Sequence, residues 1–378
     1  MDAASLPAAE MSWLAWLRRE LAPAPGRSEN AVRITVTVVL VVVIAMTLRV
    51  PEAAVSAYMV FFVTKAHRKA TALVGILMIL GVTIGIALSL LMYRLTIDRP
   101  ELRIPGMAVM LFTGMFLSRV FEIGPLAFML GFILSVTQSV AELAPSGELL
   151  VRAMLWLLVA IVYPIAITVV VSQFLLPVHA PPQPTVAKKK KPLLAPDAFT
   201  NPKYARFALK VTLAAMSCYI LYTAVDWAGI HTAFITCIFI ALEDTESTLY
   251  KGLLRIVGCL IGALLGFLSI LYLVPHMETI ASLVLLIGAV SLGAAWIGMG
   301  SERIAYAGLQ IAFAFFMCLL QGFGPDTDFD TIRDRIVGIL LGIVMMTLIF
   351  CFLWPERSDD RLRPALGRAL RKTAPRST

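Results

Sequence analysis

The chain has 378 residues, of which 59% are apolar and only 15% carry a charge. Soluble domains average roughly 45–50% apolar and 25% charged residues, so this chain has too little polar surface for a water-soluble globule. The composition excludes a disordered chain, a disulfide-stapled secreted scaffold and a nucleic-acid binder, and it indicates an all-α integral membrane protein. Membrane topology must therefore explain the formal net charge of +8.

The first thirty residues predict a cytoplasmic segment with a short helix on the membrane surface. Trp13, Leu14, Trp16, Leu17 and Leu21 share one helical face, and tryptophans favour the level of the lipid headgroups. The segment lacks the pattern of a cleavable signal, because its basic residues follow the apolar stretch instead of preceding it. We therefore expect residues 1–30 to form an interfacial helix on the inner side.

Apolar segments along the rest of the chain predict about twelve transmembrane helices. Several segments are shorter than a full span and must be tilted or shielded by neighbours, so a count of ten stays open. The predicted segments lie at 33–49, 53–64, 71–93, 106–120, 124–140, 150–174, 205–225, 228–242, 253–274, 280–298, 303–320 and 332–353.

Residues 177–203 form the one break of domain size. They are rich in proline and contain four consecutive lysines, which is typical of a semi-rigid linker. The chain is therefore predicted to contain a first transmembrane repeat at 31–176, this cytoplasmic linker, a second transmembrane repeat at 204–355 and a basic cytoplasmic tail at 356–378.

The two halves resemble each other, which predicts a duplicated unit of six helices. The aligned pairs are Gly81 with Gly258, Gly85 with Gly262 and, after a short gap, Arg33 with Arg206. Because six is even, the second copy enters the membrane in the same direction as the first. Such a parallel repeat has its axis along the membrane normal, and a substrate path is expected between the halves.

The placement of lysine and arginine predicts the orientation. With the N-terminus inside, only seven of the 32 lysines and arginines fall at outer helix ends. These seven are Arg49, Arg94, Arg99, Arg103, Arg152, Arg333 and Arg335. The bias follows the positive-inside rule and predicts that both termini are cytoplasmic. The basic tail is expected either to bind anionic lipid or to stay solvated.

Glycines recur at helical spacing in three segments, and we interpret them as sites of close helix packing. The predicted helix-packing glycines are Gly81, Gly85, Gly258, Gly262, Gly266, Gly338 and Gly342. Arg255 and Arg335 each precede such a stripe by about one turn, so each side chain is expected to lie against a partner helix.

Charged side chains in or near the membrane are the candidate functional residues, because an unpaired charge at depth costs several kcal/mol. An anion in a cavity of low dielectric needs a fixed positive partner. We therefore expect arginines that face a cavity between the halves to attract a carboxylate. The candidate substrate-binding residues are Arg49, Arg255 and Arg335.

A second group of titratable residues is expected to take up protons or to close a cytoplasmic gate. The group consists of Asp226, His231, Glu243, Asp244, Lys65 and Arg68. The first two flank one turn, where a proton relay competes with a plain hydrogen bond from the histidine to a backbone carbonyl. Glu243 and Asp244 are acids, and they lie in the second half at the place where the first half has the bases Lys65 and Arg68. These loops could pair as a gate or form ordinary solvated ion pairs.

Familiar enzyme motifs are absent from the sequence. It has no G-x-x-x-x-G-K-[ST], no G-x-S-x-G and no H-E-x-x-H, so ATP hydrolysis and common hydrolase chemistry have no support. The five cysteines lie in apolar runs, and the acidic stretch that begins at Asp326 lacks the glycine and the distal acid of a calcium loop. We therefore predict no enzymatic activity, no cofactor and no metal, and an ion gradient or the substrate's own gradient as the energy source.

Two motifs resemble a known family. One motif begins at Asp330 and reads D-T-I-R-D-R-I-V-G-I-L-L-G, followed by L-W-P-E-R. The other is the R-x-x-G-x-x-x-G span at Arg255. Both are similar to the fusaric acid resistance (FUSC) or aromatic acid exporter family of bacterial inner membranes. With the duplicated six-helix plan, the resemblance extends over nearly the whole chain. It implies export of small aromatic or other organic carboxylates, with a periplasmic membrane-fusion adaptor and in some members an outer-membrane channel.

The family pattern covers only a few named positions. They are Arg255, Gly258, Gly262, Asp330, Arg335, Gly338, Pro355 and Glu356. Larger members carry a soluble domain between the halves, where this chain has only the linker, so the role of that domain in regulation or assembly does not transfer. Plant relatives of similar plan look like anion channels.

The combined prediction is a twelve-helix inner-membrane exporter of small organic anions that contacts membrane lipid. A passive anion channel is the alternative of the same class. A membrane scaffold that transports nothing is the alternative of another class, with the linker and the tail as docking sites. The glycine stripes suit all three, and oligomerisation with further copies of the chain stays open.

Overall fold

The computed structural model describes residues 13–141, 146–175, 193–241, 245–320 and 329–354. These residues form helices, and the β-structure among them is one isolated bridge between Phe121 and Leu194. The α-helices are α1 (Trp13–Leu21), α2 (Arg27–Leu48), α3 (Ala53–Val63), α4 (Arg68–Thr96), α5 (Pro100–Val120), α6 (Gly124–Ser139), α7 (Gly147–Val170), α8 (Pro202–Ala224), α9 (Thr232–Ile240), α10 (Thr245–Leu268), α11 (Ile280–Gly298), α12 (Ala305–Leu319) and α13 (Phe329–Phe352).

Helices α2 to α13 lie at the twelve predicted apolar segments, and α1 lies at the predicted surface helix. By length and composition, seven helical segments of the described residues could cross a membrane: Arg27–Leu48, Arg68–Thr96, Gly147–Leu175, Pro202–Ala224, Ser247–His276, Ile280–Gly298 and Arg333–Phe352. Four further apolar helical segments are shorter. The chain is thus an all-helical membrane protein, whereas twelve crossings and the surface position of α1 stay predictions.

Several helix ends follow directly from the local sequence. At the start of α8, Pro202 occupies the first turn, where no N–H is needed, and the side chain of Asn201 accepts a hydrogen bond from the backbone N–H of Lys203. At the end of α2, Arg49 adopts a left-handed conformation with φ 52°. Because Pro51 follows two residues later and cannot continue a helix, α2 and α3 stay separate.

The described residues fall into two compact units, each assembled from both halves of the sequence. The first unit draws on Met1–Leu80, Arg152–Ala187 and Val257–Ile332, and the second on Gly81–Val151, Lys188–Ile256 and Arg333–Thr378. Helices α4, α7, α10 and α13 therefore contribute one end to each unit. The predicted boundaries at 31–176 and 204–355 describe duplication along the chain and stay a prediction.

The same packing pattern occurs inside each unit. In the first unit, α2 packs on α3 and α11, and α12 packs on α3 and α11. In the second unit, α8 packs on α9 and α5, and α6 packs on α9 and α5. The first two helices of one half therefore pack with the fourth and fifth helices of the other half in both units.

The glycine stripe of α10 lies against α12 within the first unit. A methyl group at Gly258 would lie 2.7 Å from the carbonyl oxygen of Ala307. A methyl group at Gly262 would overlap the carbonyl oxygen of Ile311, and real Cβ atoms essentially never come so close to other atoms. Farther along α10, Gly266 approaches the side chain of Cys318. The helix backbones can approach this closely only because these positions lack side chains.

Stripes in the second unit show similar close approaches. In α4, an added methyl would lie 3.1 Å from the Leu126 side chain at Gly81 and 2.8 Å from Ile133 at Gly85. In α13, a methyl at Gly338 would overlap the Thr232 hydroxyl, and one at Gly342 would lie 2.7 Å from the Ala233 carbonyl oxygen.

A further close contact joins α5 and α6, and it supplies a testable prediction. A methyl group at Gly114 would lie 2.5 Å from the Cα of Gly131, and backbone atoms cannot move aside as a flexible side chain can. We expect Gly114→Ala to lower the free energy of unfolding by about 1–3 kcal/mol. The measurement is thermal unfolding of the purified chain in detergent.

Gly293 on α11 is the matched control, because an added methyl there meets nothing within 4 Å. Since alanine favours a helix over glycine by about 1 kcal/mol, Gly293→Ala should unfold at the same temperature as the wild type or higher. Equal stability of the Gly114 and Gly293 variants would contradict the close contact.

Candidate functional site

The candidate site lies at the end of α5 in the second unit. The helix ends at Val120, whose carbonyl oxygen accepts a hydrogen bond of 2.8 Å from the backbone N–H of Ala195. A second bond of 3.0 Å runs from the N–H of Glu122 to the carbonyl oxygen of Leu193. These two bonds fix the turn between α5 and α6 against the segment that precedes α8, and they position the last turn of α5.

A cavity of about 310 Å³ lies beside this turn. Helices α5, α6, α8 and α9 all contribute to its wall. The lining residues are Met115, Ser118, Arg119, Gly124, Pro125, Phe128, Phe207, Ile238 and Ala241. Small-molecule sites typically have volumes of roughly 300–1,000 Å³ and combine apolar walls with a few polar groups. The cavity therefore fits a small ligand better than a large one.

Arg119 is the charged group of this wall. It lies in the last turn of α5, is half-buried, and places its guanidinium carbon 4.1 Å from the ring centroid of Phe207 on α8. A cation over an aromatic face at this distance is stabilised by the ring quadrupole. The contact holds the guanidinium in a defined position at the cavity.

Two further cations on α10 belong to the same unit. Arg255 is 3% exposed, and Lys251 precedes it by one helical turn and is half-buried. Both Arg119 and Arg255 lie within electrostatic range of the Lys251 ammonium. Arg255 also lies within electrostatic range of the Cys237 thiol on α9. Three basic side chains thus belong to this unit, and two of them act on the charge of the third.

The arrangement is suited to an anion with an apolar body. The Arg119 guanidinium in the wall would attract a carboxylate, and this attraction is stronger in a site of low dielectric than in water. Phe128 and Phe207 supply ring faces and edges for a planar aromatic group. The site therefore offers both parts of the recognition that an aromatic carboxylate requires.

A second cavity of about 350 Å³ lies between α5 and α6. Its wall contains Gly114 and Gly131 together with mainly aliphatic side chains, and Thr113 is its one hydroxyl residue. No charged side chain lines this cavity, so it offers an anion no fixed positive charge.

The predicted substrate-binding arginines lie in different surroundings. Arg255 is buried in the second unit, and Arg335 is half-buried on α13 of the same unit. Arg49 belongs to the first unit, is exposed, and ends α2 in a left-handed conformation. Their role in substrate binding stays a prediction.

Asp226 and His231 flank the turn between α8 and α9. Asp226 is exposed and has a positive φ of 51°. The Nδ1 of His231 lies 3.0 Å from the carbonyl oxygen of Ala228 and can donate a hydrogen bond to it, and Arg335 lies within electrostatic range of the ring. This contact fits the simpler alternative, a hydrogen bond from the histidine to a backbone carbonyl. The proton relay stays a prediction.

The predicted gate is described on one side only. Lys65 and Arg68 are exposed in the first unit. The Lys65 ammonium packs near the ring of Phe62 and donates a hydrogen bond of 3.1 Å to the Phe62 carbonyl oxygen, and partial desolvation lowers the pKa of Lys65. Glu243 and Asp244 lie outside the described residues, so the gate stays a prediction.

Sequence reasoning missed part of this site. Arg119, Lys251 and the aromatic residues Phe128 and Phe207 are not among the candidate residues predicted from the sequence. No spacing along the chain relates residue 119 to residue 207. The one available signal was the basic residue one turn before Arg255, on the same face of α10.

Comparison with known proteins finds a family model that matches a stretch in the second half of the chain. Residues 214–349 match the family model described as fusaric acid resistance protein-like. The match includes Arg255, Gly258, Arg335 and Gly338 and confirms the resemblance predicted from the motifs. It is shorter than the resemblance expected over nearly the whole chain.

Relatives match about half of the chain. The multidrug resistance protein MdtO of Shigella flexneri is 39% identical over 193 residues, which are 51% of this chain and 28% of that protein. MdtO of Escherichia coli K12 is 41% identical over 187 residues, 49% of this chain and 27% of that protein. The inner membrane protein YccS of Escherichia coli K12 is 26% identical over 173 residues, 45% of this chain and 23% of that protein.

The matched stretches thus cover under a third of each of these relatives. No solved structure matches the chain.

Proposed function

We propose that this chain exports small organic carboxylates, preferably aromatic ones, across the bacterial inner membrane. The observation that carries the proposal is the cavity at the end of α5, where Arg119 lies over the ring of Phe207 and Phe128 is part of the same wall. A fixed guanidinium attracts the carboxylate, and the rings accept the aromatic body. The relatives named for multidrug resistance support efflux as the direction of transport.

The position of the cavity along the chain supports uptake of substrate from the cytoplasm. With both termini cytoplasmic, as the lysine and arginine bias predicts, α5 runs inward and α10 runs outward. Arg119 near the end of α5 and Lys251 near the start of α10 then lie at the inner ends of their helices. An anion arriving from the cytoplasm would meet these cations first.

A duplicated twelve-helix carrier is the architecture that we propose. It is supported by the equivalent packing inside the two units, in which α2, α3, α11 and α12 correspond to α8, α9, α5 and α6. The shorter apolar helices can complete the crossing where neighbouring helices cover their ends. Parallel repeats of this kind place substrate sites near the repeat interface.

Coupling to an ion gradient is the second part of the proposal. Asp226 and His231 are the proposed proton carriers, and Glu243 and Asp244 are proposed to pair with Lys65 and Arg68 as a cytoplasmic gate. We also propose a periplasmic membrane-fusion adaptor, with an outer-membrane channel, on the basis of the family resemblance. Transport needs no chemical step, so we propose no enzymatic role.

Inverted membrane vesicles test export directly, since they accumulate an exported substrate without an outer-membrane component. Vesicles that contain the chain should accumulate labelled benzoate faster than vesicles from cells without the gene, and a protonophore should abolish the difference. Equal accumulation across a panel of organic acids would contradict export. Accumulation that follows the substrate gradient and survives the protonophore would favour a passive anion channel.

A further inference from the structure

Arg33 on α2 is among the most deeply buried charged side chains of the described residues. It is 1% exposed and lies in the first unit, in the second turn of a helix long and apolar enough to cross a membrane. Its Nη2 donates one hydrogen bond to Oδ1 of Asn30 and another of 2.7 Å to the carbonyl oxygen of Lys65. Both acceptors are uncharged.

The rest of the guanidinium has no partner among the described residues. Nε and Nη1 are buried there without a hydrogen bond, and none of the ion pairs found between described residues involves Arg33. A guanidinium carries five N–H donors, so three of them are unused. A buried cation without a counter-charge is costly, and it normally has a partner or marks a site of function.

A second buried polar group lies on an element that packs against α2. The π-helical turn Val171–Leu175, at the end of α7, contacts α2. In this turn, Ser172 is 1% exposed, and its hydroxyl has no hydrogen-bond partner among the described residues. The next residue, Gln173, donates a hydrogen bond of 3.0 Å to the carbonyl oxygen of Arg68. The turn is thus tied to the segment that follows α3.

We propose that Arg33 is the centre of an anion site in the first unit, with the Ser172 hydroxyl as a second donor and a small organic carboxylate as the ligand. The site is distinct from the cavity at Arg119. The choice of a carboxylate rests on the proposed function, whereas the need for an anion rests on the uncompensated charge. A purely structural role, in which Arg33 caps the end of α3 through Lys65, accounts for Nη2 and leaves Nε and Nη1 unexplained.

The ligand has to reach an enclosed side chain. Because Arg33 is covered in this conformation, the anion enters when the surrounding segments move apart and is then shielded from water. Such occlusion is the behaviour of a carrier that binds its substrate between two states.

Binding of benzoate to the purified full chain tests the proposal. In nanodiscs of phosphatidylcholine alone, benzoate should raise the melting temperature of the wild type, because a ligand that binds the folded state stabilises it. Arg33→Met should make this rise smaller, because the cavity at Arg119 can still bind benzoate, and should weaken benzoate binding at the Arg33 site by about tenfold or more. Arg33→Lys should keep part of the affinity, since the charge remains and the fork of donors is lost.

Arg206→Met is the matched control. The sequence alignment pairs Arg206 with Arg33, but the Arg206 side chain is exposed and lies 5.6 Å from the ring centroid of Trp354. This variant should retain the full response to benzoate. If Arg33→Met and Arg33→Lys both respond like the wild type, the proposal is wrong. If Arg33→Met does not fold, the benzoate response of Arg33→Lys decides whether the proposal holds.

Inorganic phosphate and phosphatidylglycerol nanodiscs distinguish the source of the anion. A response to phosphatidylglycerol that depends on Arg33, with none to benzoate, would overturn the carboxylate assignment in favour of a lipid headgroup. A response to phosphate equal to that for benzoate would show an unselective anion site and would also overturn it. Export of labelled benzoate by vesicles separates this inference from the proposed function. If Arg33→Met still exports benzoate and binds it as the wild type does, the site at Arg33 is wrong and the proposed export function stands.

Discussion

Replacement of Arg119 by glutamine is expected to reduce export of an aromatic carboxylate by about ten- to hundredfold. The guanidinium lies at the wall of the cavity and is held 4.1 Å from the ring centroid of Phe207. Loss of a charge-assisted hydrogen bond costs about 1.5–3 kcal/mol, which corresponds to this range of affinity. Glutamine keeps a polar side chain at this half-buried position, so the protein level should stay normal.

The measurement is the initial rate of labelled benzoate accumulation in inverted vesicles, normalised to the amount of protein. Arg119→Lys should keep an intermediate rate, because it retains the charge. Arg303→Gln is the control: its side chain is 72% exposed and lies 3.9 Å from Glu20, and exposed pairs contribute little. A normal rate in Arg119→Gln would show that the cavity at Arg119 takes no part in transport. A normal normalised rate together with a lower protein level would favour a scaffold.

The positions of the helices could be predicted because they depend on local sequence. Long apolar runs between charged or proline-containing turns specify helices in a membrane, since every backbone group must be paired within the segment. Pro51 and Pro202 mark such turns directly. The start of α10 was the least accurate boundary: the helix begins at Thr245 and includes Lys251, whereas the apolar segment was predicted from residue 253. Polar residues can extend a helix beyond its apolar part.

The composition of the two units could not be predicted from the same signals. Apolar periodicity shows that a helix has a buried face but does not identify the neighbour that covers it. The packing of α2 on α11 and of α5 on α8 therefore needed the three-dimensional structure. The alignment of the halves indicated that equivalent helices exist, and the units combine helices from both halves.

The candidate site was partly accessible from sequence for the same reason. Arg255 was found because a charge before a glycine stripe in an apolar segment is unusual. Arg119 and Phe207 come from helices far apart in the chain, so only the fold brings them to one cavity. Arg33 shows a further limit: it aligns with Arg206, yet the first is buried and the second exposed. Aligned residue types do not establish equal environments.

Replacement of Gly262 by leucine is expected to destabilise the first unit by about 3 kcal/mol or more. A Cβ atom at this position would overlap the carbonyl oxygen of Ile311 and would lie 2.9 Å from the Cβ of Ala314. Overpacking typically costs about 1–3 kcal/mol even where side chains can adjust. Here a backbone oxygen of α12 would have to move, and three more carbon atoms follow the Cβ, so α10 and α12 would have to separate.

Thermal unfolding of the purified chain in one detergent measures this effect, and Gly293→Leu is the matched control. Gly293 lies on an exposed part of α11, where an added Cβ meets nothing within 4 Å. The control should match or exceed the wild type, because leucine favours a helix over glycine. Gly262→Ala should fall between Gly262→Leu and the wild type, since the backbone overlap begins at the Cβ. If Gly262→Leu unfolds with the control, close backbone packing between α10 and α12 does not stabilise this unit.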